Sequence, residues 1–168
     1  MARTLILLRH AKSAYPPGVA DHDRPLAPRG QADAPAAGRW LAEVHPEIDA
    51  VVLSPARRTR ETWALVSDEA REPWPEPVVE PRVYEAEART LLDVVRALPP
   101  SASKALVIGH NPGLEDLAIV LAGDADPEAL RRLALKFPTS AIAVVEVTGE
   151  WADLPRGARL SRVEVPRG

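Results

Sequence analysis

His10 and His110 occupy the same kind of place in this chain: each follows a short apolar run, Leu5 to Leu8 and Ala105 to Ile108, by one or two residues. In open α/β sheets ligands bind beyond the carboxyl ends of the strands, so both imidazoles are expected to face one crevice. Arg9 adjoins His10. A third apolar run, Ala50 to Leu53, is followed by Ser54-Pro55, which places Arg57 and Arg58 near the first turn of a helix. A cation at the positive end of a helix is misplaced unless an anion sits there. Free N–H groups at a helix start and guanidinium forks both match phosphate oxygens. The chemistry indicated is phosphoryl binding with a histidine inside the cradle. The competing readings are plain ones. A lone histidine is usually a surface or core residue, which suits His22 and His45, and an arginine here could simply pair with Glu61 in a chain with 18 Arg and 3 Lys.

Positioning these residues requires buried strands alternating with helices, the signature of a parallel sheet covered on both faces. Leu5 to Leu8, Ala50 to Leu53 and Ala105 to Ile108 read as strands, and Val78-Val79 as a short one inside the proline-rich connector Glu72 to Pro81. Residues 28 to 44 carry Ala34, Ala37, Leu41 and Val44 on one helical face, with Pro35 expected to kink the helix or delay its start. Ser54 is expected as N-cap and Pro55 as first residue of a helix through about Val66. Leu91 to Leu98 reads as a helix. Another opens at Asn111-Pro112, buries Leu114, Leu117, Ala118 and Leu121, and ends at Gly123. Ile142 to Val147 and Leu160 to Val165 are expected to close the sheet as a pair of strands.

Composition narrows the function classes. The 168 residues suit one domain spanning 1–168, large enough to bury a core. With no cysteine, disulfides, thiolate metal sites and cysteine nucleophiles are excluded. A formal charge of -3 without a basic block gives no reason to expect nucleic acid or an anionic membrane as partner. The longest apolar run, Leu117 to Ala122, is far short of the ~20 residues of a membrane span, and Leu5 to Leu8 is too short for a signal-peptide core. A cytoplasmic location is the default expectation.

Taken in order, Leu7-Leu8-Arg9-His10-Ala11, Ser54-Pro55-Ala56-Arg57-Arg58-Thr59-Arg60-Glu61-Thr62 and Gly109-His110-Asn111-Pro112-Gly113 resemble the histidine phosphatase superfamily, which includes the phosphoglycerate mutases. The Arg-His-Ala-Lys-Ser start and Asp21-His22-Asp23-Arg24-Pro25-Leu26 are most similar to the SixA-type phosphohistidine phosphatases. The resemblance covers essentially the whole chain. It implies a three-layer α/β/α fold with a mostly parallel central sheet, phosphoglycerate mutase-like and without a large cap insertion. It also implies that His10 is the nucleophile, that Arg9, Arg58 and His110 bind the phosphoryl oxygens, and that Arg24 contacts the phosphate or its carrier. Glu85 occupies the place of the acid that protonates the leaving group in many members. The small residue after His10 is Ala rather than the Gly common in mutases, and the Asn that follows in those enzymes is missing, which argues against a mutase. The 24 residues between Glu85 and His110 leave no room for a cap, so the site is expected to be open.

The activity so implied is hydrolysis of phosphohistidine on a protein through phospho-His10, without metal or other cofactor. Imidazole, with a reference pKa of about 6.5, leaves more easily than an alkoxide, so a strong acid at Glu85 is not essential to that reaction. A phosphomonoesterase for small phosphorylated metabolites would use the same residues, and a phosphoprotein-binding module would use the arginines without the nucleophile. A two-histidine, one-carboxylate metal site from His10, His110 and Glu85 is a further reading, disfavoured because adjacent guanidinium groups repel a divalent cation.

Overall fold

In the computed structural model, which describes residues 2–168, alternate side chains of β1 (Arg3–Arg9) enter two different cores. Ile6 and Leu8, with Leu106 and Ile108 of β4 (Lys104–Gly109), pack against Ala34, Ala37 and Leu41 of α1 (Pro28–Val44) and Val66 of α2 (Arg57–Ser67). Leu5 and Leu7, with Ala105 and Val107, meet α3 (Ala88–Arg96), α4 (Gly113–Val120) and α5 (Pro127–Leu135) through Leu91, Val95, Leu114, Leu117 and Leu133. This two-sided burial explains why the strands read as unbroken apolar runs. Each leucine so enclosed contributes roughly 1.5–3 kcal/mol. The architecture is three layers, α/β/α.

With β2 (Ala50–Leu53), β3 (Val78–Val79), β5 (Ile142–Val147) and β6 (Ala158–Glu164), the sheet order is β3-β2-β4-β1-β5-β6. The pairs β3/β2, β2/β4 and β4/β1 are parallel, and β5 runs antiparallel to both β1 and β6. The sheet is therefore mostly parallel. Residues 86–109 are taken up largely by α3 and β4, so no cap is inserted there. Among the described residues, no helix is long and apolar enough to cross a membrane.

Three sequence expectations need correction or completion. α1 starts at Pro28 and runs through Pro35, so the internal proline does not delay it. α2 begins at Arg57 with Ala56 as N-cap, two residues later than expected from Ser54-Pro55. The Ser54 hydroxyl accepts from Ala56 N–H at 3.2 Å, and Thr59 Oγ1 donates to the Ser54 and Ala56 carbonyls, so the first turn is pinned before the helix proper starts. α5 is an element the sequence reading left unassigned. Its signal is Asp126-Pro127, where the Asp126 carboxylate accepts from Ala129 N–H at 3.0 Å and Pro127 fills the first helical position.

Candidate active site

Parallel pairing sets the carboxyl ends of β2, β4 and β1 side by side. The register aligns Arg9 with Gly109 and Leu53 with Ile108. It continues one residue further, with His10 N–H donating to the Gly109 carbonyl at 3.1 Å and Ser54 N–H to the Ile108 carbonyl at 3.2 Å. Thus His10, His110 and Ser54 leave adjacent strands at one level. The imidazole centroids of His10 and His110 are 5.2 Å apart, and both residues are buried, 6% and 8% exposed. They line a cavity of about 160 Å³ together with Arg9, Arg24, Arg58 and Asn111.

The hydrogen bonds decide which nitrogens carry protons. His10 Nδ1 lies 2.7 Å from the Ala11 carbonyl, which can only accept, so the neutral ring holds its proton on Nδ1 and keeps a lone pair on Nε2. Burial pushes the His10 pKa down to about 3; the Ala11 carbonyl opposes this, while His110, Arg58 and Arg9 add to it. His110 Nδ1 is 3.3 Å from Arg58 Nη2, a group that can only donate. Its proton therefore sits on Nε2, which donates to Ser54 Oγ at 2.8 Å. Burial, then Arg58, brings the His110 pKa down to about 4.

Arg58 projects from the first turn of α2 and is buried, donating through Nη1 to the Asp21 carbonyl at 2.8 Å and through Nη2 to Asp21 Oδ2 at 3.2 Å. α2 is fastened to the strand that carries His10: Thr62 Oγ1 accepts from Ala11 N–H at 3.0 Å and donates to the Arg58 carbonyl at 2.7 Å. Arg57 points away and pairs with Glu61 at 2.7 Å on the surface. Arg24 makes the loop ion pair expected of it. It lines the cavity and donates to Ser13 Oγ at 3.0 Å, and its Nε pairs with Asp21 at 3.1 Å. Its guanidinium also stacks 4.0 Å from the centroid of exposed Tyr15. Arg9 donates to the Phe137 carbonyl at 3.1 Å, and no carboxylate pairs with it among the described residues. Burial lowers its pKa, with Glu115 opposing.

Glu85 stands apart. It is exposed, does not line the cavity, and has φ 53°, a left-handed conformation that costs a non-glycine residue of order 1–3 kcal/mol. Its neighbour Tyr84 turns inward instead, edge-on to His110 with centroids 5.6 Å apart, and its hydroxyl donates to Asp21. That hydrogen bond is the main reason the Asp21 pKa falls to about 2, with Arg58 and Arg24 adding and burial opposing, and it raises Tyr84 to about 12. Asp21 and Tyr84 are thus site residues that sequence reasoning missed, as are Ser54, Ser13 and Thr139. Ser54 had a usable signal, since it follows a strand just as the two histidines do.

A β2-β4-β1 crevice holding two histidines and three arginines has clear relatives. A model of the histidine phosphatase superfamily (branch 1) matches residues 5–91, and the chain belongs to that superfamily. It is 45% identical over 163 residues to an uncharacterised protein of Mycobacterium tuberculosis, covering 95% of this chain and 100% of that one. Among solved structures, a candidate phosphohistidine phosphatase SixA from Nakamurella multipartitia superposes with a TM-score of 0.87 at 38% identity, over 99% of this chain and 97% of that one. The protein histidine phosphatase SixA complexed with tungstate gives a TM-score of 0.79 at 25% identity, over 97% of each chain. The fold is accordingly phosphoglycerate mutase-like and of the SixA type.

Proposed function

We propose that the chain is a phosphatase that hydrolyses phosphohistidine on proteins, with His10 as nucleophile. The observation that carries this reading is the His10 ring itself: buried, neutral, with Nδ1–H held by the Ala11 carbonyl so that Nε2 keeps its lone pair beside the arginines. Nε2 attacks phosphorus in line; the bond from phosphorus to the carrier's imidazole nitrogen breaks, and that nitrogen takes a proton from solvent. Arg9 and Arg58 offset charge on the equatorial oxygens, neutral His110 turns its Nε2–H from Ser54 Oγ to one of those oxygens, and Arg24 holds the oxygens or the carrier. Water then attacks phosphorus, the bond to Nε2 breaks, His10 returns to its neutral form, and orthophosphate leaves with the water's remaining proton released to solvent.

Two further features support phosphohistidine over an alkyl phosphate. Glu85 lies outside the cavity, which suits a leaving group that needs no strong acid. No cap is inserted within residues 86–109, which suits a phosphorylated side chain on another folded protein. The relatives named for SixA point the same way. The test is a panel comparing a phosphohistidine carrier protein with alkyl and aryl phosphates. The carrier is expected to be the best substrate, and Glu85→Gln, a change outside the cavity, is expected to alter phosphohistidine turnover less than about threefold. Preference for a small alkyl phosphate, with equal loss on both substrates in the variant, would replace this reading with a metabolite phosphomonoesterase.

A further inference from the structure

The cavity around His10 continues into a second, basic groove of about 350 Å³ that shares Arg9, Lys12 and Thr139 with it. Lys12, Arg29, Lys136 and Arg167 line the groove with Arg9, and no acidic side chain does. Five cations in one groove stand out in a chain of formal charge -3, and two of its three lysines are here. The charge is only partly neutralised from within. Buried Asp33 pairs with Arg29 at 3.5 Å and Arg167 at 3.3 Å, whereas Lys12 and Lys136 pair with no carboxylate among the described residues. The cations come from separate elements: the segment after β1, the first turn of α1, the end of α5 and the segment after β6. The fold thus gathers them, although the sequence shows no basic block.

The kind of cation bears on the kind of ligand. At the His10 cavity Arg24 and Arg58 are buried and held by hydrogen bonds and Arg9 is half-buried, as suits one phosphoryl group. In the groove, Lys12, Arg29, Lys136 and Arg167 are exposed, and lysine ammonium groups on flexible stems are hydrated point charges. Such a surface attracts distributed carboxylates, supplying encounter rate and orientation, without forming a rigid phosphate cradle. We infer that this groove docks an acidic segment of the protein substrate beside the phosphorylated histidine. The inference rests on the phosphohistidine reading and adds to it a recognition element outside the catalytic cavity.

The test uses two labelled peptides identical except that the histidine is flanked on both sides by glutamates or by glutamines, each with and without phosphate on the histidine. Binding of the unphosphorylated pair by fluorescence anisotropy reads the groove independently of any turnover. Wild-type protein at low salt is expected to prefer the glutamate peptide by about tenfold, and the preference is expected to fade as ionic strength rises. Arg29→Gln/Lys136→Gln, which leaves Arg9 and Lys12 in place, is expected to reduce that preference to within about twofold. In turnover, the same preference is expected in kcat/KM for the phosphorylated pair, with the glutamine peptide hydrolysed equally by both proteins. Equal binding of the two peptides by wild-type protein, or a preference surviving intact in the variant, overturns the groove. Binding preference without hydrolysis of either phosphorylated peptide would instead overturn the phosphohistidine reading and leave the groove standing.

Discussion

At the scale of single residues, the decisive feature is one proton. The Ala11 carbonyl fixes it on His10 Nδ1, and burial keeps a second proton off the ring, so Nε2 of the proposed nucleophile keeps its lone pair across the neutral range. With a pKa near 3 in place of the ordinary 6.5, His10 should show no titration between pH 8 and pH 5. Nitrogen-resolved NMR of the imidazole is expected to report a neutral Nδ1–H tautomer throughout; a midpoint near 6.5 would contradict the burial argument. What could be read from sequence at this scale was position behind a strand: it identified His10 and His110 and placed Arg9 beside them. Hydrogen-bond partners were not legible. Ser54 was expected to cap α2, and its hydroxyl does accept from Ala56 N–H, but it also accepts from His110, a contact between residues 56 positions apart. Asp21 looked like a local partner of Arg24 and in fact joins Arg24, Arg58 and Tyr84.

At the scale of elements, the site depends on how closely helices and loops approach the strand ends. Gly30, in the first turn of α1, leaves no space for a side chain: a Cβ there would lie 2.1 Å from the Lys12 carbonyl oxygen. The obstacle is backbone of the segment following His10, whose Lys12 carbonyl also accepts from Ala27 N–H at 2.9 Å. Gly30→Ala should therefore push α1 away from that segment, with a stability loss of about 1–3 kcal/mol by chemical denaturation. A parallel drop in turnover is expected, because Lys12 and Ser13 line the cavity. Unchanged stability and activity would show that the two segments are not tightly coupled. Element identity was largely legible because a strand buried on both faces announces itself as an apolar run. Boundaries were less so. The start of α2 is set by Thr59 bonding back to two carbonyls, and α5 is amphipathic against β6 with a cap signal that lies outside the strand-helix alternation.

At the scale of the whole molecule, a buried neutral histidine makes stability depend on pH. The folded-state pKa of His10, about 3, lies below its unfolded value of about 6.5, so the unfolded chain binds the extra proton first as the pH falls. Its contribution is complete above pH 6.5, is lost progressively from there towards pH 3, and changes no further below that. His110, at about 4, acts in the same direction. Denaturant titrations at pH 7 and pH 5 should show the wild type losing up to about 2 kcal/mol more than His10→Gln over that interval. Identical losses would mean that His10 is protonated in the folded protein. The sheet order and the basic groove beside the cavity belong to this scale, and neither was legible, since both arise from distant segments brought together by strand pairing. Rapid acid-free quench and mass spectrometry during turnover of a phosphohistidine substrate read the covalent step itself. A phosphoryl group is expected on His10, absent from His10→Ala, whose turnover should fall by roughly a thousandfold or more. Full turnover by that variant, or a phosphoryl group found on another residue, would contradict His10 as the nucleophile.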